Sequence, residues 1–173
     1  EGVATTGDPT MADRKSNVTL SGMTAEIKAY TLDVSGRVAI NFYALPASGV
    51  DYSTLKLVAT YVDMSGATQT VEVAGADWKY FNATYGYVAT VNAMNAAEMR
   101  SVVSAVVEDA NGNVISNTYS TSIETYGKTI VDRAAADPSN ASRVKLAALM
   151  KAMINYGDAA RAYFVSVGSA VEQ

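Results

Sequence analysis

The sequence predicts a mainly β protein with α-helices: an antiparallel β-sandwich of about seven or eight strands, followed by two C-terminal helices packed on it. Two observations lead to this fold class. Up to about residue 120, short runs alternate between apolar and polar residues and are separated by turn signals, which is typical of strands. Beyond residue 120, apolar residues recur with helical spacing. Strands followed by helices favour a sandwich with helices on one side or one edge.

The first strands are identified by strict alternation. In the segment 36–45, Val38, Ile40 and Phe42 fall on one face of an extended chain, and polar or smaller residues fall on the other. The segment 55–62 alternates in the same way. Because successive side chains of a strand point to opposite faces, both segments are predicted to be strands.

Turn signals divide the strands into hairpins. The motif Asp-x-x-Gly occurs between apolar runs at 33–36, 63–66 and 109–112. Asp suits the first position of a type I turn, and Gly suits the fourth, where a positive φ is easily adopted. The third motif resembles a calcium loop but lacks the later bidentate glutamate, so no metal site is predicted. The predicted hairpins pair 25–32 with 36–45, 55–62 with 67–73, and 101–108 with 113–120.

Two helices are predicted after residue 120. Thr121 and Glu124 have the spacing of a capping box, which places the first helix at about 122–135. An Asp-Pro step then ends that helix and starts a second one at about 139–165. The apolar stripe of the second helix is predicted to pack in the core, so this helix is expected to be integral to the domain. The stripe consists of Leu146, Leu149, Met150, Met153, Tyr156, Gly157, Ala160 and Phe164.

The chain is predicted to form one compact domain over residues 17–165. A chain of 173 residues suits a single domain and buries enough surface to fold without disulfides or metals. Residues 1–16 are expected to be a flexible N-terminal stretch, and residues 166–173 a tail. The first sixteen residues also lack the apolar core of a signal peptide.

Five segments spread over most of residues 17–165 carry a resemblance to a known family. They are LSGMTAEI, GRVAINFYALP, NAAEM, TSIETYGKTIV and LMKAMINYGDAARAYF. Together they resemble a recurrent β-sandwich-plus-helix module of secreted and cell-surface proteins of gut Firmicutes, although this chain is richer in alanine and poorer in lysine. Such modules accompany dockerins, cell-wall anchors, leucine-rich repeats or glycoside hydrolase domains. The resemblance implies an extracellular or cell-surface location and neighbouring domains, and it supplies no catalytic motif.

The composition argues against several classes of function. The chain contains neither His nor Cys, which removes the commonest general base, the thiol nucleophile and the commonest transition-metal ligands. We therefore predict a protein that is not an enzyme and uses no cofactor; a glycoside hydrolase with paired carboxylates is the remote alternative. The net charge is −4 and basic residues are scattered, so no nucleic-acid partner is expected. Membrane insertion is not expected either, because no apolar run approaches the roughly 20 residues of a membrane span.

The segment ADWKYFNATYGYVAT, residues 76–90, contains five of the fifteen aromatic residues and the only tryptophan. Alternation places Trp78 and Tyr80 on one face of a strand, and Tyr85 and Tyr87 on one face of the strand that returns after a turn. Because aromatic rings stack on the apolar faces of sugars, these four residues are the candidate carbohydrate-binding site, with Trp78 as the main stacking residue. The alternative is that Trp78 and Tyr80 pack beneath the C-terminal helices.

Two functions therefore stand at the level of sequence. The first is a non-catalytic extracellular module that binds polysaccharide through this aromatic hairpin. The second is a structural or scaffolding module that spaces neighbouring domains and has no ligand of its own. The exposure of Trp78 separates the two, because a stacking residue must display its ring to solvent.

Overall fold

The computed structural model describes residues 22–34, 38–92 and 94–171, and it contains two antiparallel four-stranded sheets followed by two helices. The first sheet has the strand order β1-β2-β6-β5, and the second has the order β4-β3-β7-β8. One hydrophobic core is shared by residues of both sheets and both helices. The predicted fold class is therefore confirmed. The strands are β1 Ala25–Asp33, β2 Ala39–Pro46, β3 Lys56–Val62, β4 Thr68–Ala74, β5 Lys79–Asn82, β6 Gly86–Val91, β7 Val103–Glu108 and β8 Tyr119–Thr121, and the helices are α1 Ile123–Ala136 and α2 Ala141–Val171.

The first two predicted hairpins are confirmed, because β1 pairs with β2 and β3 pairs with β4. In the turn between β3 and β4, the Gly66 amide donates to the Asp63 carbonyl oxygen at 3.1 Å, and Gly66 has a φ of +84°. Hydrogen bonds from the Ser65 hydroxyl and the Gln69 side chain lower the pKa of Asp63. The turn motif at 33–36 lies partly outside the described residues, as do residues 1–16, which were expected to be flexible.

The third predicted hairpin forms at its turn but not along its length. The turn at Asp109 is confirmed, because the carbonyl oxygen of this residue accepts the amide N–H of Gly112 at 3.0 Å. The prediction of a returning strand over 113–120 was wrong for most of that range. Before β8 begins at Tyr119, the segment forms only one isolated β-bridge, between Val114 and Glu108. The reason is that Ile115 and Asn117 form hydrogen bonds to β1 of the first sheet, whereas Ser116 bonds to β7.

Asn117 joins that segment to the first sheet. Its side-chain oxygen accepts the amide N–H of Ile27 at 2.8 Å, and its side-chain nitrogen donates to the carbonyl oxygen of Ile27 at 3.1 Å. Both residues are buried, and the contact lies beside an irregularity in the β1–β2 register between Ile27 and Ala29. One amide side chain therefore satisfies both backbone polar groups of a core residue, in place of a neighbouring strand.

We expect Asn117→Leu to lower the free energy of unfolding by about 2–6 kcal/mol. The substitution leaves the N–H and the C=O of Ile27 buried without these partners, at about 1–3 kcal/mol for each group. Urea denaturation followed by circular dichroism measures the loss. The matched control is Asn155→Leu, at an exposed position of α2, for which we expect a change within about 0.5 kcal/mol. Equal effects of the two substitutions would show that the Asn117 bonds contribute nothing.

The first helix is capped by a different residue from the one predicted. The hydroxyl oxygen of Ser122 accepts the amide N–H of Thr125 at 3.0 Å, so Ser122 is the N-cap. Thr121 remains in β8, where its side chain is buried, and Glu124 pairs with Arg100. The predicted capping box was therefore wrong. The helix itself lies where it was expected, because a second hydroxyl residue stands next to the first.

The first half of α2 packs closely on the rest of the domain. Met150 is 1% exposed, and a Cβ atom added to Gly127 of α1 would lie 2.9 Å from the side chain of Ile154. At Gly157, an added Cβ atom would lie 2.7 Å from the carbonyl oxygen of Ala96. These two glycines allow α2 to approach α1 and the segment before β7 more closely than any other residue would.

Arg100, which precedes β7, connects both helices to the sandwich. Its Nε and Nη2 atoms donate to the two carboxylate oxygens of Asp158 in α2, at 2.6 and 2.8 Å. Its Nη1 atom donates to Glu124 in α1. The hydrogen bond from Arg100 holds the pKa of the Asp158 carboxyl below its ordinary value.

The second half of α2 does not pack as predicted. Beyond Gly157 every side chain described up to residue 168 is exposed, apart from the half-buried Ala160. Of the stripe that was predicted to lie in the core, Met150 and Gly157 are buried, but Leu149, Tyr156 and Phe164 are exposed. The helix also continues to Val171, past the predicted end at 165. Within the described part of the chain, this half of the stripe therefore continues into solvent.

Candidate functional site

Trp78 is buried, and its ring is not displayed to a ligand. The residue is 4% exposed and belongs to the shared hydrophobic core. Its indole N–H donates to the carbonyl oxygen of Val73 at 3.0 Å, so the polar atom of the ring is satisfied by the backbone of β4. The expectation that Trp78 is the main stacking residue was therefore wrong. The physical reason is its position. Trp78 lies between the 3₁₀ turn Gly75–Asp77 and the start of β5, and at this point its side chain packs in the hydrophobic core.

Tyr80 and Tyr87 lie together on one face of the β5–β6 hairpin. They are directly opposite each other in the antiparallel register, with ring centroids 5.5 Å apart at an angle of 72°. The Tyr87 ring stacks on Tyr52, with centroids 3.9 Å apart and planes at 24°. Tyr80 is 65% exposed, whereas the other two rings are half-buried. We call Tyr52, Tyr80 and Tyr87 the tyrosine cluster.

Tyr85 belongs to a separate aromatic group. Its ring lies 6.4 Å from that of Phe81 and 6.3 Å from that of the buried Tyr43. The ring of Phe81 lies 5.1 Å from that of Tyr43, which is on the face of the first sheet opposite to Tyr87, so Phe81 and the pair of Tyr80 and Tyr87 occupy different faces. Of the four residues predicted to form a binding surface, the structure brings only Tyr80 and Tyr87 together. Tyr52 was absent from the prediction, because its turn lies far from the hairpin in sequence and carries no pattern that indicates the contact.

The hairpin that carries Tyr80 and Tyr87 is firmly held. Gly86 has a φ of +75°, and a Cβ atom there would lie 2.2 Å from the carbonyl oxygen of Ala44. The side-chain oxygen of Asn82 accepts the amide N–H groups of Thr84 and Tyr85 at 2.9 and 2.8 Å, which fixes the turn. The exposed ring of the tyrosine cluster is therefore attached to a defined backbone.

Polar side chains accompany the tyrosine cluster. Tyr52 lies in the 3₁₀ turn Tyr52–Thr54, and the neighbouring Asp51, Ser53 and Thr54 are exposed. The Asp51 carboxylate accepts hydrogen bonds from the hydroxyl and the amide of Ser53, at 2.7 and 3.0 Å, and these bonds lower the pKa of Asp51. The carboxylate and hydroxyl groups next to Tyr52 in the chain are hydrogen-bonding groups of the kind that suit a sugar.

The described part of the chain contains neither a metal-binding cluster nor a membrane-spanning helix. Within residues 22–34, 38–92 and 94–171, no three or more acidic side chains are grouped so that they could hold a metal ion. Over those same residues, no helix combines the length and apolar character needed to cross a membrane. No protein-family model matches the chain, and no functionally curated protein is significantly similar to it. The tyrosine cluster is therefore the feature from which a ligand-binding function can be argued.

Proposed function

We propose that the protein is a non-catalytic module of a secreted or cell-surface bacterial protein, and that it binds polysaccharide through the tyrosine cluster. The observation that supports this proposal is the exposed ring of Tyr80 beside the stacked pair of Tyr52 and Tyr87. The stacked pair limits the motion of Tyr87, and Tyr87 contacts Tyr80 edge to face. A ring that is already oriented loses less conformational entropy when a ligand stacks on it.

The extracellular location and the multidomain context of the proposal rest on the resemblance to the gut Firmicutes module. The segments that carry it include the INFYAL run of β2 and the AMINYGDAARAYF run of α2. The module is proposed to act beside other domains of a longer protein, as an accessory that places them near their polysaccharide substrate.

A second candidate is a structural module that spaces neighbouring domains and has no ligand. The burial of Trp78 favours this candidate, because the largest ring of the aromatic hairpin contributes to the core and not to a binding surface. A sugar site on this hairpin therefore depends on tyrosine alone, with Tyr80 as its principal ring.

We expect Tyr80→Ala to weaken polysaccharide binding roughly tenfold, since the loss of one aromatic contact is worth about 1–1.5 kcal/mol. The stability of the domain should stay within about 0.5 kcal/mol of the wild-type value, because Tyr80 is exposed. Retention on insoluble cellulose, xylan, chitin and peptidoglycan, together with a thermal melt, measures both quantities.

The matched control is Phe81→Ala, which removes an exposed ring from the opposite face of the same strand. The proposal predicts that this variant binds as the wild type does. Wild-type protein that is retained on none of these polysaccharides would reject the sugar site in favour of the spacer function.

A further inference from the structure

α2 presents an apolar stripe that borders the domain in its first half and is largely exposed. It consists of Leu149, Met153, Tyr156, Ala160, Tyr163 and Val167, which we call the α2 seam. Its members follow one another at alternating steps of four and three residues, which is the heptad spacing of helices that pack on another helix. All of them are exposed except Met153 and Ala160, which are half-buried.

The N-terminal part of the seam opens onto an apolar pocket of about 350 Å³. Leu149, Met153 and Tyr156 form the α2 side of this pocket. Flexible methionine side chains adapt to the shape of an inserted group and make favourable contacts with aromatic rings. The pocket therefore suits an aromatic side chain. Its remaining apolar lining includes Val34, Val38, Met94 and Met99.

The seam is complementary to itself when two copies of α2 run antiparallel. A two-fold axis near residue 158 places Tyr156 of one copy opposite Ala160 of the second copy, so that a large ring meets a small side chain. The same axis places Met153, at the pocket, opposite Tyr163 of the second copy. Leu149 then faces Val167 of the second copy, so every member of the seam has an apolar partner.

The residues around the seam permit two identical copies to approach. The seam contains no charged residue, so the two copies meet without like-charge repulsion. Small residues recur beside it at intervals of seven, at Ala152, Ala159 and Ser166. Such small side chains allow the helix axes to lie close together.

We propose that the protein forms a symmetric homodimer, in which two copies of α2 pack antiparallel along the seam and Tyr163 of each copy fills the apolar pocket of the other. The half of α2 that extends beyond its own domain then covers the pocket of the second copy. The interface is isologous and closes on itself, as expected of a two-fold dimer. A seam that binds a neighbouring domain or a different protein does not need to be complementary to itself. The self-complementary spacing of the α2 seam therefore favours a second copy of this chain as the partner. The dimer does not depend on the proposed polysaccharide site.

Sedimentation of the full chain over a micromolar to submillimolar concentration series tests the dimer. We expect a monomer–dimer equilibrium that Tyr163→Glu weakens roughly thirty-fold or more, because a carboxylate cannot enter an apolar pocket without a large penalty. The matched control, Val165→Glu, changes an exposed apolar residue on the opposite face of the helix and should leave the equilibrium unchanged. The two residues are similarly exposed, at 63% and 57%. A wild-type protein that stays monomeric throughout, or a dimer that is insensitive to Tyr163→Glu, would overturn the proposal.

Disulfide cross-linking tests the antiparallel register, and it is simple to interpret because the chain has no cysteine of its own. Ala159→Cys lies near the two-fold axis and should form a cross-linked dimer under mild oxidation. In Val167→Cys the two thiols lie about 27 Å apart along the helix axis, too far for a disulfide. Cross-linking of Val167→Cys as readily as Ala159→Cys would indicate parallel helices and refute the proposed arrangement.

Discussion

Trp78→Ala is expected to lower the free energy of unfolding by about 3–5 kcal/mol, the usual cost of truncating a large buried aromatic residue. Trp78 is buried in the core shared by the two sheets, and its indole N–H is bonded to the carbonyl oxygen of Val73. The substitution therefore leaves a cavity and removes a hydrogen bond together. Urea denaturation followed by far-ultraviolet circular dichroism measures the effect, since the variant has no tryptophan fluorescence.

Tyr80→Ala is the matched control for this substitution, because it removes an exposed ring two residues away. We expect its free energy of unfolding to stay within about 0.5 kcal/mol of the wild-type value. If Trp78→Ala were equally mild, the ring could not occupy the core position that the structure gives it.

Truncations at two points in α2 are expected to give opposite results. A chain that ends at Pro138 lacks all of α2 and uncovers the face of α1 that α2 contacts at Gly127. The loss of Met150 and its apolar neighbours removes several buried side chains, at roughly 1.5–3 kcal/mol each. We therefore expect this form to lose its cooperative thermal transition.

A chain that ends at Arg161 keeps every residue of α2 that is buried, including Gly157, and it keeps Asp158, the partner of Arg100. We expect its thermal midpoint, measured at a concentration at which the protein is monomeric, to match that of the full chain. Cooperative melting of both truncated forms would show that α2 is dispensable. Loss of cooperativity in both would show that the exposed half of the helix also holds the monomer together.

Alternation and turn chemistry predict the hairpins well, because both ends of each hairpin lie close together in the sequence. The β3–β4 hairpin is an example: its Asp63 carboxylate and the positive φ of Gly66 build the turn from four consecutive residues. The segment 113–118 is different. Its bonds reach β1, and no local pattern distinguishes a strand that returns to its neighbour from one that crosses to the other sheet.

The candidate site was only partly predictable, for a similar reason. Alternation gave Trp78 and Tyr80 the same face, but burial depends on how far a residue lies from the edge of the sandwich. Trp78 adjoins β4 and is covered, whereas Tyr80 belongs to β5 at the edge of the first sheet and is exposed. Tyr52 packs on Tyr87 from a distant turn, which alternation within the hairpin does not report.

The apolar stripe of α2 shows a further limit of periodicity. The spacing of Leu149, Met153 and Tyr156 correctly indicates a helix. Periodicity does not distinguish a face that is covered by its own chain from one that is available to another molecule. That distinction depends on where the domain ends relative to the helix. Beyond Asp158, which pairs with Arg100, the side chains described up to residue 168 are exposed apart from the half-buried Ala160.

The two hydrogen bonds between Asn117 and Ile27 join residues 90 positions apart in the chain. Contacts of such long range are costly to form early in folding, because a large loop must close first, whereas the hairpins β1–β2 and β3–β4 need only short loops. We therefore expect the folding transition state to be reached before these bonds form, so that their removal raises the unfolding rate more than it lowers the folding rate. The lifetime of the native state would then depend on this side-chain amide. So would the resistance of the protein to proteolysis, under conditions in which a protease cleaves the opened chain faster than the chain refolds.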